Sequence, residues 1–457
     1  MRWINVRFYE TFVYFLFFYF TIGVFPPAAV AGFTLAIAAF NYLRNPKDPM
    51  SNFVLLFVAS IFYNAYHEEI FFKTFSRGDT STALAASANW LGLAYVVQLL
   101  FTGELHRFRF RWQKLDTLLL IFLIVVLFTA LIGVDFDVSL KELKRYPSFI
   151  GFYFITRVSM SSMSRIREML SVFYATLLIV FIIAIQKSII GSKYGALVDF
   201  VFLLSPVLHL KLKELKRISI NEIMPVLILA VGSLSLLIAD SRRILISVSL
   251  IWLSAFSAKR FTALLFIVII PIFILLQGIE VGVKFRYQQS ADQVNELLKS
   301  GADENVLRQL TTGRSQLWAA GFSLISHYPF FGVGLENHIE LLPSFGAYTS
   351  IRIHNVFLDV TAQAGLVGLF VFFLILSHLL TKLRRMKRTL KEQGLITHTV
   401  LINALFVSYI AVIVFSFFGG SMLLGKWGWF QAAFIMATIL TMEKELKDIN
   451  RKKTRNT

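Results

Sequence analysis

The chain has 457 residues, of which 56% are hydrophobic and 16% charged; soluble domains run at about 45–50% apolar and about 25% charged, which excludes an ordinary soluble globular protein. It contains no cysteine, so disulfides, thiolate metal sites, iron–sulfur clusters and cysteine nucleophiles are excluded, and an oxidising compartment is suited. A formal net charge of +18 raises nucleic acid as a partner, but the basic residues sit in short clusters abutting apolar runs, the signature of cytoplasmic loops, and nucleic-acid binding is set aside.

The apolar runs have the length a helix needs to cross about 30 Å of hydrocarbon. In chain order they fall at 8–25, 27–43, 51–71, 83–105, 116–134, 148–164, 168–187, 195–211, 223–240, 244–258, 261–280, 356–380, 399–418 and 428–443. The first follows Arg2 and Arg7 with no small-residue cleavage site after it, and reads as a retained helix. Pro26 and Pro27 make a tight outer turn. Arg107, Arg109, Arg111 and Lys114 mark one cytoplasmic segment. Lys382, Arg384, Arg385, Lys387 and Arg388 mark another, and the tail from Lys444 to Arg455 a third.

Segment 148–164 carries Arg157 and several serines, and is the weakest span. Parity supports it: 135–147 belongs outside and the basic Lys211, Lys213, Lys216 and Arg217 inside, which takes an odd number of crossings. A re-entrant 148–164 lowers the total from fourteen to about twelve spans. The expected fold is therefore all-α, a polytopic transmembrane helical bundle of 12–14 spans with both termini cytoplasmic. Three parts are expected: N-terminal helices over 1–280, a helical extracytoplasmic loop subdomain over 281–355, and C-terminal helices with a basic tail over 356–457. The loop follows a span that starts beside cytoplasmic Lys259-Arg260, and its helix-like segments 291–299 and 314–327 argue for an ordered, functional loop.

Three places on the outer side could carry chemistry. Asp240-Ser241-Arg242-Arg243 sets guanidinium groups at the membrane–water boundary; such arginines also anchor to lipid phosphates, yet the positive-inside bias disfavours an outer pair. Thr312-Gly313-Arg314 opens a helix that runs through Trp318 to His327-Tyr328. A helix start with free N–H groups and an arginine can hold a phosphate; a capped surface helix is the plainer account. The third place runs from Pro329-Phe330-Phe331-Gly332-Val333-Gly334 to His354-Asn355, where the loop re-enters the membrane. An imidazole there stays neutral near pH 7 and can accept a proton, although a lone histidine at a helix start is commonly a cap or a structural partner. His327, His338 and His354 match no common metal-ligand spacing, so no metal is expected. No phosphate-binding P-loop, dinucleotide fingerprint or nucleophile elbow is present, and no cofactor is expected.

Taken together, Ser241-Arg242, Gly313-Arg314 with Trp318, Pro329 with Gly332 and Gly334, and His354-Asn355 with Leu358 before a glycine-bearing helix (Gly365, Gly368) resemble the O-antigen ligase/polymerase superfamily. The resemblance covers about residues 195–370. Arg243 departs from the family pattern, which more often has a small residue there, and leaves open which of the two arginines faces substrate. The resemblance implies a GT-C-like, metal-independent glycosyltransferase of the bacterial inner membrane with its active site on the periplasmic side. Its donor would be a glycan on undecaprenyl diphosphate. By the same resemblance Arg242 and Arg314 hold the diphosphate and His354 is the general base. Arg243, Ser241, Gly313, Trp318, Tyr328 and Asn355 complete the substrate contacts. The acceptor is a lipid A–core sugar for a ligase, or a lipid-linked repeat unit for a polymerase, which would also have a chain-length regulator as partner. A transporter of the same lipid-linked glycan remains a third reading; transporters usually show internal repeats and midplane charges, and neither is found.

Overall fold

The computed structural model describes residues 4–22, 24–65, 79–104, 111–190, 206–207, 210, 314–417 and 423–456. Among them every regular element is helical, apart from an isolated bridge between Ile22 and Phe25. The helices are α1 (Val6–Thr21), α2 (Pro27–Arg44), α3 (Met50–Ala65), α4 (Asp79–Phe101), α5 (Lys114–Ile132), α6 (Phe136–Leu143), α7 (Tyr146–Ser159) and α8 (Met163–Ile190). After the gap in description come α9 (Arg314–His327), α10 (Asn337–Leu341), a 3-10 turn (Leu342–Phe345), α11 (Val356–Glu392), α12 (Ile396–Phe417) and α13 (Lys426–Asn456).

Four of these, α5, α8, α11 and α12, are long and apolar enough to cross a membrane, and apolar segments of α2, α3 and α4 are shorter. The protein is a polytopic helical membrane protein. The expected spans at 223–240, 244–258 and 261–280, and nearly all of 195–211, lie outside the described residues, as does the loop from 281 to 313.

Helices from both ends of the chain share one apolar core. Phe57 of α3, Phe152 of α7 and Phe173 of α8 all pack on Phe430 of α13, with ring centroids 5.2–5.9 Å apart. Polar side chains tie the bundle across helices: Asn41 Nδ2 donates to Tyr14 Oη (2.8 Å) and Asn52 Oδ1 (3.0 Å), and Asn52 Nδ2 donates to Gln98 Oε1 (2.6 Å). With no water in hydrocarbon to compete, such pairs fix which helices meet.

The segment carrying Arg157 is a helix, and the structure gives the reason it tolerates the charge. Arg157 is 3% exposed and lies 2.7 Å from Asp116 near the start of α5, while Tyr153 donates to the same carboxylate. Asp116 also accepts the Gln113 backbone N–H at 2.6 Å, so one carboxylate starts α5 and neutralises α7. Since α6 joins the far end of α5 to the start of α7, and Arg157 in the last turn of α7 meets Asp116 in the first turn of α5, α7 runs antiparallel to α5. It has 14 residues, about 21 Å at 1.5 Å per residue, and runs back along α5 as far as the Asp116 contact. The short helix α6 was not expected: Asp135 caps it, accepting from the N–H groups of Asp137 (2.8 Å) and Val138 (3.1 Å).

Candidate functional site

Residues 314–355 sit at the end of the bundle opposite the basic clusters, because α5 leaves Lys114 and arrives here at Gly133, and α11 leaves here at Val356 for Lys382 and beyond. Helix α9 buries Leu317, Ala320, Gly321 and Leu324, the spacing of a single helical face. That face packs with Val333, Leu342, Ala347, Ile353 and Ala362 into a small core separate from the main one.

The segment after α9 has a definite structural task. Helix α11 spans 37 residues but breaks at Gly365, where φ is 65° and ψ is −170°. A break inside a membrane helix frees backbone groups that need partners. The Pro329–Gly334 segment supplies them: Val333 N–H donates to Ala362 O (2.9 Å) and Gly334 N–H to Gln363 O (3.0 Å), while Pro329 O accepts from Leu366 N–H (2.8 Å) and Phe330 O from Val367 N–H (3.3 Å). A Cβ at Gly365 would stand 2.0 Å from Phe330 O, and one at Gly332 would stand 2.5 Å from Ala362 O, so backbone contact this close demands glycine at both. The corner after α5 completes the brace. Val134 N–H donates to Val333 O at 3.0 Å, and Asn337 Nδ2 donates to Val333 O (2.8 Å) and Asp135 O (3.0 Å). The P-x-x-G-x-G pattern is thus a backbone splint for the broken helix.

The splint leads to the turn that carries His354. His354 has φ +60°, a left-handed conformation that costs a residue with a Cβ about 1–3 kcal/mol and persists only where its surroundings enforce it. On one side Asn355 caps α11, its Oδ1 accepting from the N–H groups of Phe357 (3.0 Å) and Leu358 (3.2 Å). On the other side Ile353 N–H donates to Asp359 Oδ1 at 3.1 Å. The Ile353 side chain lies over Gly321 of α9, where an added Cβ would stand 3.0 Å from its Cδ1.

That contact relates the turn to Arg314. Arg314 opens α9 and is half-buried, and Gly321 lies two turns further on, about 10 Å along the axis. Arg314 and the His354 turn therefore belong to one small region. Trp318 lies one turn inside Arg314; its ring is 6.1 Å from that of Phe417, itself 5.9 Å from Phe357 in the first turn of α11. Tyr328, beyond the other end of α9, is about 21 Å along the axis from Arg314, so it is not brought beside it. Ser241, Arg242, Arg243 and Gly313 lie outside the described residues.

The remaining histidines are accounted for separately. His327 Nδ1 sits 2.9 Å from Ser323 O, with its ring against Phe345. His338 is fully buried with Nε2 3.3 Å from Asp359 Oδ1. Among the described residues no cluster could hold a metal ion. Nearby, burial holds the Glu142 carboxyl above its ordinary value against the pull of Arg145, and Glu336 adds to the rise. Sequence reasoning missed Asp359, the Asp359–His338 contact and Asn337; an acidic residue in the first turn of α11 was the only signal for the first of these.

A family model described as O-antigen ligase matches residues 226–373. Over that stretch the chain is similar to the O-antigen ligase family. The matched stretch takes in all four pieces of the sequence pattern, from Ser241-Arg242 through Gly368, and its described part includes the splint, the His354 turn and the break at Gly365. No curated protein matches the chain. The match supports a function of the O-antigen ligase type in a membrane protein.

Proposed function

We propose that the protein is an O-antigen ligase, moving a finished glycan from undecaprenyl diphosphate to a sugar hydroxyl of lipid A–core on the periplasmic face of the inner membrane. The observation that carries this reading is the match of residues 226–373 to the O-antigen ligase model. His354, held left-handed beside the helix that Arg314 opens, supports it.

In this reading His354 accepts the proton of the acceptor hydroxyl as its oxygen attacks the anomeric carbon. The carbon–oxygen bond to the diphosphate breaks, the leaving group departs with the electron pair, and the configuration inverts. Arg242 and Arg314 take up the charge developing on the diphosphate, the larger part of the catalysis in a site screened from water, and the base adds about 10²–10⁴. Arg243, Ser241 and Gly313 line the diphosphate, Asn355 and Trp318 set the wall beside His354, and exposed Tyr328 meets a more distant part of the glycan. Because a diphosphate already leaves well, the scheme draws on neither ATP nor a metal.

Deletion in the native host, followed by lipopolysaccharide gels, tests the assignment. Loss of all O-antigen with lipid-linked polymer accumulating is the expected result. A core bearing one repeat unit would instead make the protein a polymerase, with a lipid-linked acceptor. Unchanged lipopolysaccharide would remove both.

A further inference from the structure

The turn that carries His354 is fastened by a buried carboxylate that the proposed chemistry leaves unused. Asp359 is 3% exposed and lies in the first turn of α11, yet the cap of that helix is already made by Asn355. Its Oδ1 reaches back out of the helix to the backbone N–H of Ile353, the residue before His354, at 3.1 Å. The same oxygen lies 3.3 Å from Nε2 of His338, which is 0% exposed and neither of whose ring nitrogens makes a hydrogen bond within the described residues. A buried carboxylate is stable only when hydrogen-bonded or paired; the Ile353 N–H supplies the hydrogen bond, and His338 is the side chain packed against the same oxygen. A turn needed merely to begin a helix has no use for a left-handed histidine, since glycine or asparagine fits there at lower cost.

We infer that Asp359, backed by His338, is a positioning residue that fixes the Ile353–Asn355 turn and so aims the His354 imidazole at the acceptor hydroxyl. The inference rests on the reading of His354 as base. Asp359 touches neither donor nor acceptor; it acts through backbone geometry. Its loss lowers the rate of the chemical step and leaves donor binding nearly as it was. A shift of about 1 Å in a catalytic group costs on the order of 10²-fold in rate, which sets the expected size.

The test uses the purified full chain in detergent, with glycan-charged undecaprenyl diphosphate prepared from host membranes and lipid A–core as acceptor. Asp359→Ala is expected to lower kcat about 10²-fold with KM for the donor within about threefold. Asp359→Asn keeps an oxygen for the Ile353 N–H and is expected to retain most of kcat. In a His354→Ala background, Asp359→Ala is expected to cost nothing further, because two residues acting as one unit do not multiply. Should Asp359→Ala fail to elute as a single species, Asp359→Glu, which moves the carboxylate by one methylene, takes its place with the same expected split. Parental kcat in Asp359→Ala, a loss seen only in KM, or multiplication with His354→Ala overturns the inference. Parental turnover in His354→Ala alone overturns the reading of the base instead, so the two failures are told apart.

Discussion

The two ends of the bundle treat buried polar groups differently. At the basic end Arg7 and Arg165 are met by carboxylates, although His378 Nε2 beside Lys382 is buried with no hydrogen-bond partner among the described residues. Arg7 engages Glu10 (2.7 Å), Ser51 (2.6 Å), Glu168 (3.2 Å) and Asp48, and Arg165 joins Asp48 (3.0 Å) to Glu104 (3.3 Å). Helices α1, α3 and α8, the loop before α3 and the segment just after α4 are thereby clamped in one polar network. At the opposite end, Gln316 Oε1, Trp318 Nε1, Asn337 Oδ1 and His338 Nδ1 are buried with no hydrogen-bond partner among the described residues. Each such group costs about 1–3 kcal/mol. A scaffold gains from satisfying its polar atoms, whereas a site that binds polar substrates keeps donors and acceptors in reserve. The arginine clamp is a device of stability, and the proposed chemistry falls in the second region.

The largest expected effect belongs to the second region. Arg314→Ala and His354→Ala should each lower transfer by at least about 10²-fold, the low end for a lost base, while helical content and detergent elution stay parental. Near-normal turnover in either variant removes its role and blurs the contrast.

Next comes the buried pair between α5 and α7. Asp116→Ala leaves Arg157 uncompensated and should destabilise the fold by about 3–5 kcal/mol, whereas replacing both partners by apolar residues recovers most of that. Thermal unfolding in detergent reads the difference; a double variant no better than the single one would show that the pair is not the cause.

The splint gives a smaller effect that links the two regions. Gly332→Ala, whose Cβ would stand 2.5 Å from Ala362 O, should cost more than about 1 kcal/mol, since φ is positive there as well. It should lower kcat more than it lowers the unfolding temperature, because the strain falls on the His354 side of the break. Equal kcat would make the splint independent of the site.

The smallest effect concerns pH at the clamp. Burial pushes the Asp48 carboxyl up, but Arg7 and Arg165 outweigh it and hold it below its ordinary 3.8. A carboxyl lowered on folding adds stability that is complete above its unfolded value and drains as pH falls through the folded one. Unfolding temperatures of the parent should therefore fall more steeply than those of Asp48→Asn below about pH 4, with transfer near neutral pH the same in both. Parallel curves would mean that the clamp carries no such linkage.

Much of the scaffold was legible because hydrophobic length is a local signal: runs at 8–25, 27–43 and 116–134 became α1, α2 and α5 within a few residues. Arg157 looked out of place in its span because its counter-ion lies 41 positions away, and no local pattern announces such a pairing. The helix from Val356 read as continuous; its break at Gly365 depends on carbonyls delivered by Phe330 and on a corner formed by Gly133 and Val134. Arg314, His354 and Asn355 were visible through residue type and order. Asp359 was not, since its significance is one bond to the backbone before His354.

The account turns on Arg242 meeting Arg314 beside His354, and the chain's lack of cysteine makes that directly measurable. Cysteines placed in pairs at 242 and 314, and at 134 and 333 as the reference pair whose backbones touch, are treated in membranes with a short thiol-bridging reagent. Bridging of both pairs is the predicted result. Bridging of 134 to 333 with none between 242 and 314 would contradict it.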